Sequence, residues 1–334
     1  MSGRFPILYI AEADPETAVL SSGVLAHLVH EIPQASFTVV GSRGSAPLFA
    51  DLPRLDALIV LEKEGRLEWV NLWKRVRATK WGLVVDQRGT DFSARLKRQR
   101  RAVKPAAASK DDGRTLHAVE QAARALQLDI PPAPRLFFGH DVMAIADQAL
   151  GGWQGPLLAV GPGADWVGKR WPAERFAKAA TPLLAEGGPL DGAKLLIVGG
   201  EEDRDAAHTI RLAVPRYRAI ETQGKLTPLQ ACASLSRASL YLGNDSLWTQ
   251  LAVAAGVPSV GVFGPSDERL RGRSVRGPRM MEDFRAIDPK LNQAIQHMMD
   301  LPVEPVLNAA RSLYAQRARE AEAAHVPEPQ SSDL

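Results

Sequence analysis

The stretch Leu240-Tyr-Leu-Gly-Asn-Asp-Ser-Leu-Trp-Thr-Gln-Leu-Ala-Val-Ala-Ala-Gly-Val-Pro-Ser-Val-Gly-Val-Phe-Gly-Pro-Ser-Asp267 constrains the fold most. An apolar run ends at Gly243, and the polar Asn244, Asp245 and Ser246 are suited to capping a helix. A second apolar run, from Pro258 to Phe263, breaks at Gly264-Pro265. This reads as strand, helix, strand. In a parallel sheet the two strand ends open on the same edge. The N–H groups of the helix start, backed by the helix dipole, can hold a diphosphate there without a lysine-bearing phosphate loop.

The same alternation extends along the chain. Short β-rich runs at Ile7 to Ile10, Ser36 to Val40, Ala57 to Leu61 and Gly82 to Val85 predict strands, and helix-compatible segments separate most of them. Leu116, Val119, Ala123 and Leu126 give helical spacing to Thr115–Leu128, which Ile130-Pro-Pro-Ala-Pro134 stops. A linker around Leu150-Gly-Gly-Trp-Gln-Gly-Pro156 precedes a second series, at Leu157 to Val160, Lys194 to Val198, Arg218 to Ile220, Ser239 to Leu242 and Ser259 to Phe263. The fold class is therefore α/β, with two doubly wound Rossmann-like halves. The expected divisions are an N-terminal domain over 1–150 and a C-terminal domain over 151–290. Helices follow over 291–325, with a return onto the N-terminal domain left open, and then a polar tail over 326–334.

A chain of 334 residues with a net charge of +3 permits an anionic substrate or membrane surface without requiring nucleic acid. Six basic residues lie between Arg95 and Lys104. They read as a solvated face or a contact for anionic lipid, and no aromatic residue follows Phe92 in the run to stack on bases. Cys232 is the lone cysteine, which excludes an internal disulfide framework and a cysteine-built metal site, and fits a reducing cytoplasm. No signal peptide is expected at the N-terminus, and no stretch approaches the roughly 20 apolar residues of a membrane span.

Chemistry gathers in Gly161-Pro-Gly-Ala-Asp-Trp-Val-Gly-Lys-Arg-Trp-Pro-Ala-Glu-Arg-Phe176. This loop follows a strand and enters a helix at Pro172. Gly163 lets a backbone approach a ligand, Lys169 and Arg170 can neutralise a phosphate, and Trp171 reads as a packing residue under the helix.

Taken in order, several motifs resemble the donor half of glycosyltransferase family 9, the ADP-heptose:lipopolysaccharide heptosyltransferases and their relatives. They are Lys169-Arg-Trp-Pro-Ala-Glu-Arg-Phe176, Leu195-Leu-Ile-Val-Gly-Gly-Glu-Glu-Asp203, Leu226-Thr-Pro-Leu-Gln230, and Gly243-Asn-Asp-Ser246 through Phe263-Gly-Pro-Ser-Asp267. Val84-Val-Asp-Gln-Arg-Gly-Thr90 and His117-Ala-Val-Glu-Gln121 look like the family's acceptor half, and Leu301–Ala310 looks like its closing helix. The resemblance implies a GT-B fold, in which two Rossmann-like domains face a cleft and the donor nucleotide lies in the C-terminal one.

It implies an inverting transferase moving a sugar, heptose by family, from a nucleoside-diphosphate sugar, ADP-linked by family. The acceptor is a lipopolysaccharide-core or related surface glycan. Donor-binding candidates are Gly163, Lys169, Arg170, Glu202, Asp203, Asn244, Asp245, Ser246, Leu247, Gln250 and Gly264, and acceptor-binding candidates are Asp86, Arg88 and Gly89. The family's first loop usually carries a Gly-Asp pair whose aspartate is the base; this chain has Thr17-Ala18 there, so Asp14 and Glu16 are the candidate bases. Leu247 and Gln250 stand where the family commonly has glycine and histidine. No metal cofactor is expected, since a cation and backbone dipoles can meet the leaving charge.

The expected partners are thus a nucleotide sugar and a glycolipid or glycan acceptor, with peripheral contact to an anionic membrane and no nucleic acid. The expected location is the cytoplasm, at the inner face of a bacterial inner membrane. A non-catalytic glycan- or nucleotide-binding protein on the same fold is the alternative. A nicotinamide-dependent dehydrogenase is disfavoured, because no Gly-x-Gly-x-x-Gly follows the first strand.

Overall fold

The computed structural model describes residues 4–63, 65–105, 118–263 and 298–324. Two parallel five-stranded sheets organise it. The first contains β1 (Phe5–Ile10), β2 (Ala35–Ser42), β3 (Leu55–Leu61), β4 (Trp81–Asp86) and β5 (Arg98–Val103), in the order β3-β2-β1-β4-β5. The second contains β6 (Leu157–Gly161), β7 (Lys194–Ile197), β8 (Ala219–Glu221), β9 (Leu240–Asn244) and β10 (Ser259–Val262), in the order β10-β9-β6-β7-β8. Numbered within its own half, each sheet has the strand order 3-2-1-4-5. The order reverses between β1 and β4 in one sheet and between β6 and β9 in the other. Ligands of open α/β sheets bind at such reversals, beyond the carboxyl ends of the strands.

The helices are α1 (Pro15–Glu31), α2 (Arg66–Val76), α3 (Ala118–Arg124), α4 (His140–Ala149), α5 (Ala173–Leu184), α6 (Arg204–Arg211), α7 (Pro228–Leu235), α8 (Leu247–Ala254) and α9 (Val303–Ala324). Local sequence explains their starts. Asp14 caps α1 by accepting from Thr17 N at 2.9 Å, with Pro15 beginning the first turn. Thr227 and Gln230 close a reciprocal capping box on α7.

One cluster of buried apolar residues runs through both halves, from Ile7, Val24 and Leu25 to Leu229, Leu235 and Leu251. The halves meet where α1 packs on α8 and α4 packs on α7. Arg237, just beyond α7, pairs with Asp147 of α4 at 2.8 Å and bonds Gln154. Gly151 and Gly152 take φ values of +61° and +69°, which turn the chain out of α4 at little steric cost. Helix α4, between the proline cluster and the linker around Leu150–Pro156, was not foreseen; its N-cap residue Gly139 offers no side-chain cap.

Arg95–Lys104 contains the edge strand β5, whose cations hid its apolar positions; Ala102 is buried and Arg100 is exposed. The C-terminal helix, where described, packs on α5, β10 and β9 of the second half. Val306, Leu307 and Ala310 sit in a core with Phe176 and Val260, so burial of that apolar stripe decides where the helix lies.

Candidate functional site

Three chain segments converge between the two sheets. The loop after β1 leads into the start of α1, the loop after β6 carries Lys169, and the end of β9 runs into α8. Asn244 ties the last two together. Its carbonyl oxygen accepts from Trp171 N at 3.0 Å, and its amide donates to Pro162 O at 2.6 Å. Trp171 is buried as anticipated, edge-on to Phe176, with its indole N–H donating to Leu301 O.

Lys169 Nζ lies 3.1 Å from Asp165 and 3.7 Å from Asp245, and its side chain is 15% exposed. Burial alone would lower its pKa, but the charges of Asp245 and Asp165 outweigh it and the net direction is up. Lys169 is therefore a cation at neutral pH. Asp165 was not singled out from the sequence, although its position four residues before Lys169 was a usable signal.

Glu16 stands in the first turn of α1, half-buried, on the other side of the cleft. Burial, and then the nearby charge of Asp245, push its carboxyl up to about 7, partly offset by Lys169. Asp14 behaves differently: it is exposed, and its carboxylate is engaged by the Thr17 N–H and hydroxyl. The two base candidates separate on this geometry. Ala18 is fully buried inside α1, so a side chain at that position faces the core and not the cleft.

At the start of α8, Ser246 is the N-cap residue, but its hydroxyl makes no cap bond and finds no partner among the described residues. Gln250, one turn on, is fully buried, and neither of its amide atoms has a partner among the described residues. Leu247, at the first helical position, packs against the shared core. Buried polar groups are normally satisfied, so Ser246 and Gln250 mark a place with unused hydrogen-bonding capacity.

Other candidates serve the scaffold. A Cβ at Gly163 would run into the Asp203 carboxylate, so the absence of a side chain there makes room for Asp203. Asp203 is 3% exposed and accepts from Gly200 N at 2.9 Å, and burial raises its pKa. It staples the loops after β6 and β7, whereas Glu202 is exposed. Arg170 donates twice to Ala164 O and holds its own loop.

The acceptor-side candidates differ in burial, with Asp86 buried, Arg88 half-buried and Gly89 exposed. Asp86 is fully buried, accepting from Arg88 N and from the Thr90 hydroxyl at 2.7 Å. Arg88 donates to Ala11 O at 2.7 Å, binding the β4 turn to the end of β1. Gly89 has φ +69°, which this tight turn requires. Beside them Glu12 pairs with Lys104, a tie that joins β1 to the end of β5. Gly264 lies outside the described residues. Among the described residues no group of three or more His, Cys, Asp or Glu side chains is placed to hold a metal ion.

Two Rossmann-like domains facing a cleft, with the strand-order reversals of both sheets opening onto it, define a GT-B protein. The chain belongs to glycosyltransferase family 9 (heptosyltransferase), whose sequence profile matches residues 61–275. Its fold is similar to that of E. coli ADP-heptose lps heptosyltransferase II, at 18% identity and TM-score 0.70, over 94% of this chain and 100% of the other. The glycosyl transferase family 9 structure from Veillonella parvula DSM 2008 is similar at 19% identity and TM-score 0.71, over 93% and 97%. E. coli heptosyltransferase WaaC with ADP follows at 16% identity and TM-score 0.59, over 82% and 92%. At these identities the likeness is one of fold. Comparison with curated protein sequences finds no match.

Proposed function

We propose that this glycosyltransferase moves a sugar, with inversion, from a nucleoside-diphosphate donor to a hydroxyl of a lipopolysaccharide-core or related surface glycan. ADP-linked heptose is the favoured donor. The observation that carries the reading is the meeting of Glu16, Lys169 and Asp245 between two helix starts at the strand-order reversals of both sheets.

The chemistry follows from charge. As the bond from the anomeric carbon to the diphosphate breaks, negative charge grows on the leaving oxygen. Lys169 and the N–H groups at the start of α8 meet that charge, and contacts that strengthen during bond breaking lower the barrier. Asp245 holds the Lys169 ammonium in position. The Ser246 hydroxyl and the Gln250 amide supply further hydrogen bonds to the bound nucleotide. The acceptor hydroxyl attacks from the opposite face of the sugar, and its proton passes to Glu16. A base with a pKa near 7 is suited to that transfer at neutral pH. Asp14 caps α1 and takes no proton. We place the reaction in the cytoplasm, where a lone buried thiol persists without a partner.

Calorimetric titration with ADP, UDP and GDP, repeated on Lys169→Ala, tests the donor site. At least one of the three should bind and the substitution should weaken it; binding of none removes the donor site. Transfer from ADP-heptose to a lipid A-core acceptor tests turnover. Nucleotide binding without transfer from any nucleotide sugar supplied would establish a non-catalytic binding protein instead.

A further inference from the structure

Helix α2 combines features that a helix packed only for stability does not need. Its inner face is ordinary, with Leu72 and Val76 buried in a core with Ile10 and Val40. Its outer face carries Leu67 at 79% exposure and Val70 at 48%, one turn apart. Single exposed apolar residues are unremarkable. Val70, however, lines a groove of about 1000 Å³ between α2 and the 3-10 turn Phe92–Arg95, and Leu67 protrudes one turn before it. Trp69, Trp73 and Phe92 line the groove, and Arg66 and Arg95 stand in its wall. Trp69 and Phe92 pack at 5.2 Å, and Arg77 lies over the Trp73 ring at 4.7 Å.

The charge around this face is mostly positive. Lys74 and Arg75 occupy the last turn of α2, and Lys97 is exposed just beyond Arg95. Of the nearby carboxylates, Glu68 accepts from the backbone N–H groups of Glu62 and Lys63 at 3.0 and 2.8 Å, which leaves Asp91 as the acid in the groove wall. Elsewhere in the basic run Arg98 and Arg101 bond to atoms of the 90–96 turn, Lys104 pairs with Glu12, and Arg100 is exposed on β5. Half-buried tryptophans, protruding aliphatic groups and a cationic rim match the boundary of an anionic bilayer, where rings sit at headgroup level and cations meet phosphates.

We propose that α2 and the Phe92–Arg95 turn form a docking face for an anionic phospholipid surface. Leu67 and Val70 enter the interface, and Arg66, Lys74 and Arg95 contact headgroup phosphates. Because α2 starts just after the carboxyl end of β3, docking through its first turns brings a bilayer to the same sheet edge that carries Glu16. A lipid-anchored acceptor then approaches the cleft from the surface that holds the enzyme. Docking itself does not depend on the transfer reaction and is measured without donor.

The test is sedimentation of the full chain with vesicles of phosphatidylcholine, alone or mixed with phosphatidylglycerol. Wild type should partition onto the mixed vesicles and not the neutral ones. Leu67→Glu combined with Val70→Glu should reduce partition about tenfold. Arg66→Ala combined with Arg95→Ala should reduce it by about fivefold or more and flatten its salt dependence. All four residues lie at the surface, so unchanged thermal melting confirms that the variants fold. Brominated acyl chains should quench wild-type tryptophan fluorescence, and Trp69→Phe should quench less. Equal partition on both vesicle types, wild-type partition by the Leu67/Val70 variant, or protection of the groove by a lipid-free glycan without vesicle binding would overturn the proposal.

Discussion

The helices α1 and α8 start in the same cleft, each just after a strand at a strand-order reversal, yet their ends are finished in opposite ways. Asp14 caps α1 and Glu16 adds a second carboxylate to its first turn. Helix α8 has no acidic residue in its first turn, and the hydroxyl of its N-cap residue Ser246 makes no cap bond. One helix start is satisfied by its own side chains and presents a carboxylate; the other lacks a side-chain cap. Under the function proposed above, the contrast would divide the labour of a transfer reaction, with proton acceptance on the first domain and anion binding on the second.

The strongest way to break this division is Glu16→Gln. The transfer rate should fall by about 10²–10⁴-fold, the usual worth of a general base, while nucleotide affinity stays within about twofold. In wild type the rate should rise as pH passes through 7, since the base must be ionised. Stability should run the other way. Glu16 binds its proton more tightly folded than unfolded, so its contribution is fully present below the ordinary glutamate range and is lost as pH rises through 7. The glutamine variant should therefore melt a few degrees higher than wild type at pH 8 and no higher at pH 4. A rate independent of Glu16 would return the base to Asp14.

Lys169→Ala tests the other helix start. Losing a charge-assisted contact costs about 1.5–3 kcal/mol, so nucleoside diphosphate should bind about 10–100-fold more weakly in titration calorimetry. Asn244→Ala strikes the scaffold between the two. It leaves the Trp171 N–H and Pro162 carbonyl without their partner, a loss of about 1–3 kcal/mol that should lower the melting temperature by several degrees. The smallest effect belongs to Asp14→Ala. Removing a cap costs about 1 kcal/mol, and the transfer rate should change far less than in Glu16→Gln. If Asp14→Ala instead abolishes transfer with little loss of stability, the roles assigned to the two carboxylates are reversed.

The parts of the fold that were legible in the sequence are those whose signals are local. The apolar runs of β4, β6 and β9 are buried along their whole length, and that of β1 from Ile7 to Ile10, so each stands out without its neighbours. Strand β5 was hidden because an edge strand with one half-filled face carries little apolar periodicity. At the site, Lys169 and Asp245 were legible from loop chemistry and resemblance, and they meet in space. Gly163 and Asp203 share a structural role that the sequence did not disclose. A glycine and an acid in separate loops each look available to a ligand, and only the tertiary fold reveals that they fill each other's space. Glu16 and Asp14 were indistinguishable in sequence, since capping geometry and the proximity of Asp245 depend on how the two domains pack.

Strand β5 has a consequence for the behaviour of the protein in concentrated solution. Among the described residues it is the edge of the first sheet, and an edge strand presents backbone groups to any passing strand. Its sequence, Arg98-Gln-Arg-Arg-Ala-Val103, places cations along that edge, and a second copy approaching it would bring like charges together. The same arginines that obscured the strand in the sequence guard it against intermolecular sheet growth.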